Sequence, residues 1–427
     1  MVEFSRSAMR GRLGRSSLAV SLGLIAASAL AACGSGSTAA SSTASTGSSS
    51  TKGGPSGSPV VMHAVLSVTG PDAFLGDSEA NALKVLEKHV NATGGIDGHP
   101  LQVDIADNES TAATSVSLAT NWISQGVPFM LNGSVGAIDK AVDALATPNG
   151  PFIYDLSPVE HPSPGSMIFS SSFSLKQEVQ ADLNFFKSRG WTNIAVMSST
   201  DASGVGGFAQ IQAVLAEPNY SSMHLVSHET FNTSDVNVTT QLSVIKAAKP
   251  QAMIIWTTGT PLGTVLNGMS SLGLENLPSI ADSGNDSVTE MVHFGAVVPK
   301  DLYIPNSSLS LPPSDLPSGP VQSTVASFQK LLAAAGDQPT LGAGQTWDAA
   351  SLLIGALKKI GVNATAKQIL AYMQNLHNVP GVFGMYNTSF TNHRGLSTGD
   401  VYLSSWNGKK FVLASGPGGA PLSSSAG

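Results

Sequence analysis

Apolar and polar residues follow two periods along this chain, and stretches of each kind take turns. "VVMHAVLSVTG" (Val60 to Gly70) is a β-rich run that ends at a Gly-Pro turn. Asp77 to Thr93 then shows helical spacing through Ala80, Leu83, Val85, Leu86 and Val90, and Gly94 and Gly95 stop it. "LQVDIAD", Thr111 to Gln125, "PFMLN", Ser134 to Ala146 and "PFIYDLS" predict strand, helix, strand, helix and strand in that order. The pattern restarts at "NIAVMSS" (Asn193 to Ser199). It continues through a helix from about Gly206 to Ala216, the strand "MHLVSHETF", the helix Thr239 to Ala248 and the strand "QAMIIWTT". Such alternation implies parallel strands joined by right-handed crossovers, in two successive α/β halves. After Pro299 come "DLYIPNSS", helices over Val321 to Ala335, Gly344 to Ile360 and near Lys367 to Leu376, and a hairpin around Asn407-Gly408 within Asp400 to Leu413. Strands with no helices between them at the end predict that the chain returns across both halves before it finishes.

The residues before Val60 follow neither period. Arg6, Arg10, Arg12 and Arg15 stand against the single acid Glu3, and Leu18 to Leu30 form an apolar run too short to span a bilayer. The tetrapeptide "LAAC" that follows resembles the lipobox of bacterial lipoproteins. Its cysteine, Cys33, is the only one in 427 residues. The resemblance implies a signal peptide over 1–32 and lipidation of Cys33 as the first residue of the mature chain. Gly34 to Pro59 is almost wholly Gly, Ser, Thr and Ala, so 33–58 is expected to be a flexible tether. The expected place is the outer face of a bacterial cell membrane, with the membrane reached through lipid on Cys33.

Composition narrows the partners. Residues 1–32 carry +3 of the whole-chain −7, which leaves −10 for the mature protein and argues against nucleic acid. Charged residues are 11% of the chain, well below the roughly 25% usual for soluble domains, so hydroxyls and amides supply much of the polarity. About 370 residues follow the tether, more than one hydrophobic core serves, and two lobes are expected.

In open parallel sheets, ligands bind at the carboxyl ends of the strands. Here those loops are "TGPDAFLG" (Thr69 to Gly76), "NGSVG" (Asn132 to Gly136) and "LSPVEHP" (Leu156 to Pro162) in the first half. In the second they are "SSTDASGVGG" (Ser198 to Gly207), "TTGTPLG" (Thr257 to Gly263) and "ADSGNDS" (Ala281 to Ser287). They are rich in hydroxyls and glycines, which suits holding an anion or polar head by neutral donors. Enzyme signatures are poor. "SVIK" (Ser243 to Lys246) has no partner motif, and "GVGGFA" (Gly204 to Ala209) lies too far beyond its strand for a dinucleotide fingerprint. "HLVSH" places His224 and His228 roughly 13 Å apart on a strand, which excludes a metal pair. No catalysis, cofactor or metal is expected. Trp122, Trp191 and Trp347 read as core aromatics, and Trp256 as a candidate pocket wall.

Several stretches together resemble the solute-binding proteins of branched-chain amino acid ABC transporters: "LSVTGPDAFLG", "VNATGGIDGHPLQVDIADNES", "WTTGTPLGTVLNGMSSLGLENLPSI", "GQTWDAASLLIGALKKIG" and "GVFGMYNTSFTNHRGLS". The resemblance implies the type I periplasmic binding fold, an α/β architecture of two doubly wound parallel-sheet lobes joined by a three-strand hinge. It places lobe 1 at 59–172 and 300–378, and lobe 2 at 173–299 and 379–427. It also implies a monomeric receptor that closes on a small carboxylate-bearing solute and delivers it to an ABC permease. Ser134 and Ser157 match the first-lobe residues that bond a ligand carboxylate, and Phe74 lies in a loop that covers it. Ser203 and Asn285 are the second-lobe candidates. Ser203 stands where amino-acid binders carry a tyrosine, and Ser283 where they carry the acid that pairs with a ligand ammonium, so aromatic or other organic acids compete with amino acids as ligands. A ligand-sensing lobe of a signalling system is the alternative role, and an extracytoplasmic hydrolase a distant third.

Overall fold

The computed structural model describes residues 54–157 and 162–422. The apolar run, "LAAC" and most of the expected tether lie outside the described residues, Cys33 among them. Strands β1 (Val60–Leu66), β2 (Leu101–Asp107), β3 (Phe129–Asn132), β4 (Phe152–Asp155) and β5 (Ile168–Ser170) are joined through helices α1 (Ala73–Ala92), α2 (Ala112–Ser124) and α3 (Gly136–Asp143). They form a five-stranded sheet in the order β2-β1-β3-β4-β5, parallel throughout.

The second half runs through α4 (Leu175–Ser188), β6 (Asn193–Ser199), α5 (Ala202–Leu215), β7 (His224–Phe231), α6 (Thr239–Ala248), β8 (Ala252–Trp256), α7 (Thr260–Ser271), β9 (Ser279–Ala281), α8 (Val288–Phe294) and β10 (Leu302–Asn306). Helices α9 (Pro320–Ala335), α10 (Leu341–Ile360) and α11 (Ala366–Met373) follow. Then come a two-residue ladder of β11 (Val379–Pro380) with β12 (Met385–Tyr386), and the hairpin β13 (Tyr402–Trp406) with β14 (Phe411–Leu413). The second sheet has seven strands in the order β14-β13-β10-β9-β8-β6-β7. Its body is parallel; β13 lies antiparallel to β10 and pairs Tyr402 with Asn306.

Strand β10, whose segment was expected to begin the return to lobe 1 at residue 300, pairs with β9 instead. The crossing therefore falls after Asn306. Helices α9 and α10 then pack on α1, and α11 on β4, so the carboxyl-terminal helices complete the first lobe. The chain passes between the sheets three times, at 171–174, 307–319 and 374–401, as a three-strand hinge requires. Each passage meets the sheets at their carboxyl edge. The first leaves β5 at Ser170, the second leaves β10 at Asn306, and the third enters β13 opposite Asn306.

One apolar cluster runs from the first sheet (Leu66, Leu131, Tyr154) through the crossings (Phe173, Leu309, Phe383) into the second (Ile194, Val196, Ile254). Satellite clusters cover the outer faces, with Trp122 in one and Ile255 and Leu266 in the other. Two expected helices start earlier than the apolar spacing indicated. Helix α1 begins at Ala73, so Phe74 sits in its first turn, and α5 begins at Ala202, inside which the glycines of "GVGGFA" fall.

Candidate ligand-binding site

At the first sheet's carboxyl edge, Ser134 and Ser157 end adjacent strands, for β3 pairs with β4 through Asn132 and Asp155. Both serines are buried, 4% and 2% exposed. Helix α3 ties their loops together. Asp139 accepts from the Ser157 N–H at 3.0 Å, and its carbonyl accepts from Asn132 Nδ2 at 3.2 Å. The Ser134 hydroxyl donates to Glu79 Oε2 on α1 and accepts from the Ser67 N–H at 3.2 Å. Burial pushes Glu79 up to about 8, against the lowering effect of Ser134, and raises Asp139 well above the carboxylate range, with Asp155 adding to it. Ser67 Oγ and Glu79 Oε1 are buried with no partner. Phe74 stands 58% exposed beside this edge.

The second sheet's edge is built from acids that bond the backbone. Ser283 donates its N–H and hydroxyl to Glu178 of α4, at 2.8 and 2.9 Å. Burial first, and then the neighbouring Asp282, pushes Glu178 up to about 8. Asp282 turns inward. Its Oδ2 accepts from the Thr257 N–H at 2.9 Å and Asn285 Nδ2 at 3.2 Å, and its Oδ1 from Thr258 Oγ1 and the Gly284 N–H, both at 3.0 Å. Four donors use the roughly four lone-pair sites of a carboxylate. Asn285, fully buried, is spent in the same way. Its amide donates to the carbonyls of Thr257 and Asp282, and its Oδ1 accepts from the Gly259 N–H. Ser203 is exposed in the first turn of α5, whose N-cap Asp201 accepts from the Gly204 N–H at 2.9 Å. The structure thus joins Ser134 with Ser157, and Asn285 with the loops after β8 and β9, while Phe74 and Ser203 stand alone on helix first turns.

Trp256 is not a pocket wall. It is 2% exposed and lies against Gly207, where an added Cβ would fall 2.2 Å from the indole. His228 bonds Ser198 Oγ at 3.0 Å and stacks on Phe208, and among the described residues no group of His, Cys, Asp and Glu could hold a metal. "NHRG" fastens the hinge. His393 stacks on Phe169 and bridges Gln374 to the Ile168 carbonyl, while Arg394 Nη1 donates to the carbonyls of Ser171 and Ser172 at 2.7 and 3.2 Å. Two cavities lie elsewhere. One of about 380 Å³ is between Asp97, His99 and the turn after α10; the other, about 210 Å³, is between Leu316 to Val321 and Met385, Asp400 and Tyr402.

Sequence reasoning missed Glu79 and Glu178, because an acid on a helix reads as a solvated face. The only signal was their spacing, which puts each on the apolar side with Ala82, Leu83 and Leu86, or with Ala181, Phe185 and Phe186.

The family model for periplasmic binding proteins matches residues 64–410. A Leu/Ile/Val-binding protein homolog of Brucella abortus is 27% identical over 106 residues, 25% of this chain and 28% of that protein. The match thus spans under a third of that relative's length. An extracellular ligand-binding receptor from Rhodopseudomonas palustris superposes with a TM-score of 0.72 at 20% identity, covering 83% of this chain and 99% of that one. A branched-chain amino acid transporter substrate-binding protein from Streptococcus pneumoniae, in complex with isoleucine, gives 0.70 at 17%, with 83% and 97% covered. A solute-binding protein of an ABC transporter from R. palustris, in complex with benzoate, gives 0.67 at 20%, with 86% and 97% covered. At these identities the superpositions establish the fold, and the family model establishes kinship. The chain is a member of the periplasmic binding protein family.

Proposed function

We propose that this protein is the solute-capturing component of an ABC importer, taking a small carboxylate-bearing solute between its lobes and passing it to a membrane permease. The observation that carries the reading is the pair of buried serines, Ser134 and Ser157, at the carboxyl ends of neighbouring strands. Such a site can turn neutral donors to an anion once the Ser134 hydroxyl is released from Glu79. Lobe closure about the three crossings supplies affinity through contacts present only in the closed state. Lipid on Cys33 would hold the receptor, as a monomer, at the outer face of the cell membrane.

Asp282, whose acceptor sites are filled, and Ser283, a neutral hydroxyl bonded to Glu178, favour an organic acid over a free α-amino acid, since neither presents an open carboxylate to an ammonium. Benzoate and isoleucine, each bound by a structural neighbour, are the natural first probes. A ligand that binds only the folded state raises the melting temperature. In a thermal-shift panel of aromatic acids, short aliphatic acids and amino acids, an organic acid is expected to give the largest shift. Ser134→Ala with Ser157→Ala should weaken its binding at least about tenfold by calorimetry. Unchanged affinity in the double variant would remove the assignment.

A further inference from the structure

The Ser134 hydroxyl has one proton, and in the structure it donates that proton to Glu79. Its oxygen also accepts from the Ser67 N–H, so only one more acceptor position is open on it. If Glu79 holds a proton, the pair can turn round: Glu79 donates to Ser134 Oγ, and Ser134 donates outward to a carboxylate. If Glu79 is ionised, the serine proton is held inward and a negative charge stands behind the site.

We propose that Glu79 is a positioning residue whose proton decides whether Ser134 can serve as a donor to an anionic solute, making capture fall away in alkaline solution. This rests on the carboxylate reading above. Geometry supports it, for Glu79 is fully buried, Oε2 meets Ser134, and Oε1 has no partner. The first turns of α10 press on it, an added Cβ at Gly342 falling 3.3 Å from Glu79 Cγ. Residues 341–347 of that helix are not ionisable. From α3 the facing ionisable group is Asp139, itself raised well above the usual carboxylate range by burial, with Asp155 adding to it. On α1 the nearest acid, Asp77, is exposed, as is Lys140 on α3. Burial places the Glu79 proton near the working range, at about 8.

The test uses the full chain as wild type, E79Q, E178Q and S134A, with benzoate as the probe because it is ionised throughout. In wild type the benzoate Kd should stay level below about pH 7 and rise about tenfold per pH unit above about pH 8. E79Q, which can donate but not ionise, should bind as wild type at about pH 6 and lose the rise. E178Q should keep it. Matching profiles for E79Q and wild type would overturn the proposal. An infrared titration needs no solute. It should show at neutral pH a protonated carboxyl band that is missing in E79Q and moved in S134A, and a band unaltered by either variant also overturns it. Failure of every acid to bind wild type at about pH 6 would instead strike the carboxylate reading, and the infrared arm separates the two.

Discussion

Three glycines fall within four positions of α5, and their neighbours fix only two of them. A Cβ at Gly204 would lie 2.0 Å from the Ser199 carbonyl and one at Gly207 2.2 Å from Trp256, whereas one at Gly206 meets nothing. Helix α5 lies close on the ends of β6 and β8 because these two residues lack side chains. Gly206→Ala should raise stability by up to about 1 kcal/mol, while Gly204→Ala and Gly207→Ala should each lower it by about 1–3 kcal/mol. Urea unfolding midpoints decide it; a gain at all three positions would refute the packing account. The motif was visible in the sequence, and a nucleotide role could be rejected on spacing. What the glycines are for was not visible, because the indole they admit comes from Trp256, on a strand more than 45 residues on. Asn285 shows the same limit. Its loop could be placed, but not the donors and acceptors that consume its amide.

Helices α4 and α7 escaped the apolar pattern for identifiable reasons. In α4 the buried face includes Glu178 and Asp182, which break its hydrophobic stripe, and α7 opens on Thr-Pro and carries Gly263 and Gly268. Strands and helices with unbroken periods, such as β6 and α10, were legible. The third crossing was legible only as a likeness, and its physical role emerges from Arg394. This buried guanidinium holds the carbonyls of the first crossing and thereby couples two of the three connections. Arg394→Ala should cost about 2–4 kcal/mol, since it leaves buried carbonyls without a donor. Chemical denaturation measures this, and a loss below about 0.5 kcal/mol would show that the crossings are held by apolar packing alone.

The whole molecule stores protons in its interior. Glu79 and Glu178 are pushed up to about 8, and Asp282 and Asp286 to about 7, burial being the main cause in each case. Below about pH 4 these groups are protonated in folded and unfolded chains alike, and their contribution to stability is complete. Between about pH 4 and about pH 8 the folded chain keeps protons that the unfolded chain releases, so stability falls as pH rises. Each tenfold difference in proton affinity corresponds to about 1.4 kcal/mol. The melting temperature should therefore drop from about pH 5 to about pH 8, and less steeply in E79Q/E178Q; a double variant with the wild-type slope would place the protons elsewhere. The two-half plan was legible because each half repeats its own alternation. The candidate site was half legible, since strand ends can be read from a sequence but the acids behind them come from helices remote along the chain.

One further property follows from how the chain enters the first sheet. The Ser56 and Gly57 N–H groups bond the Gly98 carbonyl, His99 bonds the Ser58 carbonyl, and β1 then runs between β2 and β3. Mechanical load from the amino-terminal side is therefore directed along β1 and shared by the seven residue pairs with β2 and three with β3. Parallel strands pulled along their length resist as a set rather than unzipping one bond at a time, so a pull on the segment that enters β1 loads the first sheet in shear.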